Sequence, residues 1–135
     1  MTPQQIACVK DSWAAVVPIS DQAAEVFYGR LFELRPDYRS LFTGDMRAQG
    51  TMLMSMLHTA VSSLDRLDAI VPAVQALGRR HVDYGVKDED YAVVGEALLW
   101  TLQQGLGDAF TDEVRDAWTH TYQTLATVMI EAPGP

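Results

Sequence analysis

Apolar residues recur at three- and four-residue spacing along nearly the whole chain, and no segment combines strand-like alternation with turn signals. Such spacing keeps side chains on one side of a helix, so the chain can bury its apolar surface only by packing helix on helix. Thr2-Pro3-Gln4-Gln5 reads as a helix start. Thr2 is the cap, Pro3 takes the first turn and Gln5 completes a capping box. Ile6, Val9, Trp13, Val16 and Val17 are its inward face, and Pro18 its end. Ser20 is the expected cap of the second helix, with Asp21 at its positive end and Ala24, Phe27, Leu31 and Phe32 facing inward beside Tyr28. Pro36 closes that helix and opens a short one over 37–42, before a turn at Thr43-Gly44-Asp45. In the helix over 46–64, Gln49, Leu53, Met56, Leu57, Ala60 and Leu64 share one stripe. Met52, Met54 and Met56 read as adaptable packing rather than a metal box. After a loop or weak helix over 65–70, Pro72 starts the next helix. Asp88-Glu89-Asp90 opens another, with Tyr91, Val94, Ala97, Leu98, Thr101 and Leu102 as its face, broken at 105–108. Thr111 caps the last, with a stripe of Val114, Trp118, Tyr122, Leu125 and Met129, and a tail comes after it from about residue 131.

A chain of 135 residues is one domain of ordinary size with a real core. Its net charge of −8 argues against a nucleic-acid partner, because phosphate binding needs clustered Lys and Arg. Cys8 is the only cysteine, which forbids an internal disulfide and fits a reducing compartment. No secretory signal pattern and no membrane-length apolar run is visible. The expectation is a soluble, cytoplasmic domain without a membrane partner.

Chemistry centres on His81. Val74, Leu77 and His81 lie on one helix face, so an imidazole is aimed into whatever that face covers, and Gly85 lets the chain leave the helix. One reading is a core or helix-end histidine satisfied by a backbone carbonyl. The other is a metal ligand, since neutral imidazole binds iron well when its second nitrogen is held by a carbonyl or carboxylate. Tyr28 and Gln49 could face it across a pocket. A haem held by one histidine leaves its far side open, where a phenol and an amide could donate hydrogen bonds to dioxygen. The competing roles are a core tyrosine and a surface glutamine. Tyr91 and Glu113 each open a helix and could approach the back of His81, where a carboxylate would make the imidazole more basic. Against this, Glu113 can simply favour its helix dipole while Tyr91 packs. His58 falls roughly opposite Gln49 around its helix, and His120 lies off its stripe; both read as surface residues. No phosphate loop, paired cysteines or nucleophile elbow is present.

The pieces FYGRLF, SLF, LGRRHVDYGV, VVGEALL and FTDEVRDAW, in that order, resemble a microbial single-domain haemoglobin. The likeness is to the globin part of flavohaemoglobins and to bacterial neuroglobin-like globins, and it runs from about Ile6 to Met129. It implies an all-α globin fold of six to eight helices, packed at about 50° around haem b (iron protoporphyrin IX). It also implies His81 as proximal iron ligand, with Phe42, Leu53, Leu77 and Val86 against the haem. Tyr28 and Gln49 would form the distal pair, and Tyr91 and Glu113 the proximal network. A distal glutamine departs from vertebrate globins and argues against a bis-histidine resting state. The expected function is reversible binding of dioxygen, for storage or transport, with carbon monoxide and nitric oxide as further ligands and a monomer or homodimer as the unit. The alternative is nitric oxide dioxygenation or peroxide chemistry at the same haem. With no flavin- and nicotinamide-binding part expected in these 135 residues, that would need electrons from a separate reductase. A third option is a haem-free, globin-like interaction module, against which His81 in an apolar pocket speaks.

Overall fold

The computed structural model describes residues 2–42, 44–83 and 86–132. Thr43, Gly85 and 133–135, expected as turn, helix exit and tail, lie outside the described residues. Among the described residues six α-helices carry the fold: α1 (Pro3–Val16), α2 (Ser20–Leu34), α3 (Met46–Ser62), α4 (Val71–Asp83), α5 (Asp88–Leu106) and α6 (Asp112–Ile130). Short 3-10 turns at Val17–Ile19, Pro36–Leu41, Leu64–Ala69 and Gly107–Ala109 join them, and no strand occurs among the described residues.

Local chemistry sets several boundaries. Thr2 and Gln5 form the reciprocal capping box at α1. Thr111 caps α6 by accepting from the Val114 N–H at 3.3 Å. Gly107, at φ 56°, ends α5 in a conformation that a side chain would strain. Ser20 is not a cap. The Val17–Ile19 turn runs straight into α2, so Ser20 already has helical backbone angles and its N–H donates to the Val17 carbonyl. The same turn swings Val17 outward to 42 % exposure.

The core gathers Val9, Trp13 and Val16 of α1, Phe27 and Leu31 of α2, Ala97, Leu98 and Leu102 of α5, and Ala117 and Trp118 of α6. α2 lies against α5 and α3, while α6 receives α1, α4 and α5. One stripe is rotated from its sequence reading. In α3 the inward residues are Gly50, Leu53, Met54, Leu57 and Val61, whereas Met56 is exposed. The cause is Gly50, where α3 meets α2 so closely that a Cβ would stand 2.9 Å from the Ala24 Cβ. An apolar tally cannot see a contact made by a missing side chain.

A second glycine contact joins α4 to α6. A Cβ on Gly78 would lie 2.4 Å from the Met129 carbonyl oxygen and 2.8 Å from its Cα. Both atoms are backbone, so a helix would have to move. Gly78→Ala is therefore expected to destabilise the fold by about 1–3 kcal/mol, the usual cost of overpacking, despite the better helix propensity of alanine. A urea titration with an unchanged or raised midpoint would mean that α4 does not rest on Met129.

Candidate functional site

His81 occupies the last turn of α4, half-buried. Its Nδ1 lies 2.9 Å from the Leu77 carbonyl, one turn back. Facing a carbonyl, Nδ1 carries the proton, and the lone pair belongs to Nε2. Burial pulls its pKa below the ordinary histidine value, and nearby Arg80 acts in the same direction, against the opposing bond to Leu77. The ring is thus held neutral and oriented. That is the donor chemistry an iron porphyrin requires of a ligand, and a fixed Nδ1 is the usual support for it.

Val86 and Lys87 are held by hydrogen bonds. The Val86 N–H donates to the His81 carbonyl at 2.9 Å. The Lys87 N–H donates to Asp90 Oδ2, also at 2.9 Å. The other Asp90 oxygen accepts a short hydrogen bond from the Tyr38 hydroxyl, in the Pro36–Leu41 turn. Asp90 and Tyr38 are both buried. Burial alone would raise the Asp90 carboxyl; the bonds from Lys87 and Tyr38 outweigh it and hold the group below the usual carboxylate range. The Tyr38 phenol is pushed up to about 12 by burial and by the same carboxylate. In the sequence Asp90 stands out only as a favourable helix start and Tyr38 not at all, because a partner 52 residues away leaves no local signal.

A cluster of aromatic rings surrounds Tyr28. Tyr28 meets Phe27 edge-on with centroids at 5.1 Å and Phe42 at 5.3 Å, and lies stacked against Phe32 at 6.1 Å. Its hydroxyl points to the Gln49 backbone carbonyl at 3.5 Å, the outer limit of a hydrogen bond. Burial raises the Tyr28 pKa, so the phenol stays protonated and a donor at neutral pH. Phe42 and Leu53 pack against the core edge, half-buried, as are Gln49, Leu77 and Val86. Tyr28 and Gln49 are therefore brought together. A cavity of about 550 Å³ opens between α2 and α3, lined by Ala24, Tyr28, Phe32, Arg39, Met46 and Gly50 among others, but not by His81.

The expected proximal pair is split. The Tyr91 ring meets His81 edge-on, centroids 6.1 Å apart. Glu113 does not come to His81. It is exposed at the start of α6, where its charge, after burial, raises the thiol pKa of Cys8 on α1. Gly78 of α4 approaches Met129 of α6, which lies sixteen residues beyond Glu113 and so about 24 Å further along the helix axis at 1.5 Å per residue. Opening a helix thus placed Glu113 at the wrong end. The residue that does reach Tyr91 is Tyr122, whose hydroxyl donates to the Tyr91 carbonyl at 2.7 Å; its place in the α6 stripe marks it only as packing. His120 is exposed, as expected. His58 is exposed too, yet its Nδ1 accepts from the Trp13 indole N–H at 3.1 Å. The described residues hold no cluster of three His, Cys, Asp or Glu suited to a metal ion.

The family of the chain agrees with this geometry. The Globin family model matches residues 25–129, well over half of the chain. A flavohemoprotein from Halalkalibacterium halodurans is 34 % identical over 124 residues, covering 87 % of this chain and 30 % of its own length. A neuroglobin from Danio rerio is 33 % identical over 135 residues, covering 90 % and 85 %, and one from Tetraodon nigroviridis is 31 % identical over the same length. The chain thus spans about a third of the flavohemoproteins it matches and most of the neuroglobins. This chain belongs to the globin family. Membership implies haem binding, and the neutral, oriented imidazole of His81 fits it. Among the described residues no helix is long and apolar enough to cross a membrane.

Tyr38→Phe removes one donor to a buried carboxylate and is expected to cost about 1.5–3 kcal/mol at pH 7, the range for a hydrogen bond to a charged group. Asp90 has a depressed folded pKa, so its contribution is complete above the ordinary carboxyl value of about 3.9 and fades as pH falls through the lower, folded value. The stability gap between wild type and Tyr38→Phe should close in that acidic window. A gap constant from pH 7 down to pH 3 would mean that the loss does not come from the hydrogen bond to the Asp90 carboxylate.

Proposed function

We propose that His81 is the proximal ligand of a haem b and that the chain, acting as one globin domain, reversibly binds dioxygen for storage or transport. The observation that carries this is the His81 imidazole, kept neutral by burial and fixed through Nδ1 on the Leu77 carbonyl. Phe42, Leu53, Leu77 and Val86 would supply apolar contact to the porphyrin. When bound, haem supplies a ferrous iron that takes up dioxygen, carbon monoxide or nitric oxide.

The distal side of this reading rests on Tyr28 and Gln49. The phenol is protonated, and its present bond is long. It loses little by turning to a better acceptor. A donor held in a dry pocket would strongly stabilise the negative charge that dioxygen takes on when a haem holds it. The Gln49 amide would add a second donor from α3. Carbon monoxide gains little from either.

A second reading at the same site is nitric oxide dioxygenation or peroxide turnover, with electrons from a separate reductase. The observation that favours it is the oxidisable Tyr91 ring at the edge of His81.

Tyr28→Phe nearly preserves shape while deleting the donor. A loss of about 1.5–3 kcal/mol corresponds to roughly ten- to a hundredfold faster dioxygen release, with carbon monoxide release changed far less. Gln49→Leu should act in the same direction, and the two effects should not add, since both donors serve one ligand. Stopped-flow release of both gases distinguishes the outcomes. Equal acceleration would make Tyr28 a steric gate, and no change in either would remove it from the ligand pocket.

A further inference from the structure

Gly29 is the only glycine inside α2, and no packing contact accounts for it. Glycine is the least favourable residue of a helix interior after proline. At Gly50 and Gly78 a close neighbour demands the missing Cβ. At Gly29 a Cβ would meet nothing within 4 Å. The space there belongs to the cavity of about 550 Å³ between α2 and α3, which Gly29 lines. The absent side chain therefore serves the cavity and not the packing of the helices.

The lining is sorted by chemistry. Tyr28 and Phe32 both line the cavity, and their rings are stacked at 27° with centroids 6.1 Å apart. Two cations stand at the Phe32 end. The Arg39 guanidinium lies over the Phe32 ring, 4.9 Å from its centroid. Arg47 is in the first turn of α3, which begins shortly after Phe42. Phe42 in turn meets Tyr28 and Phe32 edge-on, at 5.3 and 5.6 Å. Among the described residues the ion pairs belong to Lys10, Arg30 and Arg35, and neither Arg39 nor Arg47 makes one. In a chain of net charge −8, two cations without a carboxylate partner at one cavity mark a place for an anion. A guanidinium that rests its face on a ring keeps its N–H edge for such a partner. The other end of the cavity is acidic. Asp21 lies roughly 16 Å from Phe32 along α2, at 1.5 Å per residue, with Glu25 between them.

We propose that this cavity binds a small aromatic monocarboxylate, with its carboxylate on Arg39 and Arg47 and its ring along Tyr28 and Phe32, in the room that Gly29 leaves. The class of ligand follows from the lining. Guanidinium donors match a planar carboxylate, and their bonds to it are charge-assisted. Stacked rings suit a flat body. A second negative charge at the far end would face Asp21 and Glu25, so the lining selects against a dicarboxylate. The site does not include His81, and the proposal is independent of the haem reading.

The probe is 3-phenylpropionate, titrated by calorimetry into the purified chain at neutral pH. Wild type should saturate with a Kd on the order of 0.1–1 mM, the range for a ligand this small. Two analogues should bind several-fold more weakly: 3-phenylpropan-1-ol, which lacks the charge, and 3-cyclohexylpropionate, which lacks the flat ring. Arg39→Gln and Arg47→Gln should each weaken the probe by about tenfold, as for one hydrogen bond to a charged group. Gly29→Leu fills the cavity and should abolish binding. Its urea midpoint should stay level or rise, since leucine is the better helix former. Arg39 and Arg47 are exposed, so their variants decide the matter even if Gly29→Leu folds poorly. The haem absorption spectrum should not move during the titration. No saturation in wild type, equal affinity for either analogue, undiminished binding in the arginine variants or in folded Gly29→Leu, or a spectral shift that puts the probe on iron overturns the proposal.

Discussion

The carboxylate of Asp90 is the point on which the site depends. It is buried at the start of α5, accepts from Lys87 on one oxygen and from Tyr38 on the other, and so joins the head of α5 to the Pro36–Leu41 turn. A buried carboxylate without partners would be costly; with two donors it becomes a fixed joint. His81 lies only a few residues before that joint and is linked to it by the bond from Val86. Phe42 lies just after the turn at the other end. One interaction thus sets the spacing between the residue proposed to hold iron and the ring proposed to wedge the porphyrin.

Two glycines do the corresponding work for the helices. Gly50 lets α3 approach Ala24 on α2, which brings the backbone of Gln49 to the Tyr28 hydroxyl. Gly78 lets α4 rest on the end of α6. Tyr28, Gln49 and His81 are therefore positioned by close helix contacts, made where a side chain is missing. Such contacts are rigid, because a backbone atom cannot rotate aside as a side chain can.

The legible part of the sequence was local. The Thr2–Gln5 capping box, the Thr111 cap and the break near Gly107 come from residues a few positions apart, as does the face of α5 through Ala97, Leu98, Thr101 and Leu102. The globin family and the all-α fold were legible as a set of spaced pieces. The illegible part depended on which helix ends meet. Tyr91 and Glu113 looked alike as helix-opening residues, but the contact of α6 with α4 at Met129 leaves Glu113 beside Cys8. The rotation of α3 hung on Gly50, which carries no hydrophobic signal. Trp13 with His58, and Tyr38 with Asp90, are pairs 45 and 52 residues apart. His58 showed how exposure misleads: an exposed imidazole still has a nitrogen committed to a buried indole.

The central claim is that His81 holds the iron, and replacing the ligand in pieces tests it most directly. His81→Gly deletes the imidazole and leaves space for a free one. Haem is titrated into wild type and variant, with and without added imidazole, while the absorption spectrum and the iron–nitrogen stretching band of the ferrous form are recorded. The account predicts that the variant alone loses the histidine-type spectrum and tight haem binding, and that free imidazole restores the spectrum. A full histidine-type spectrum in His81→Gly without imidazole would contradict it.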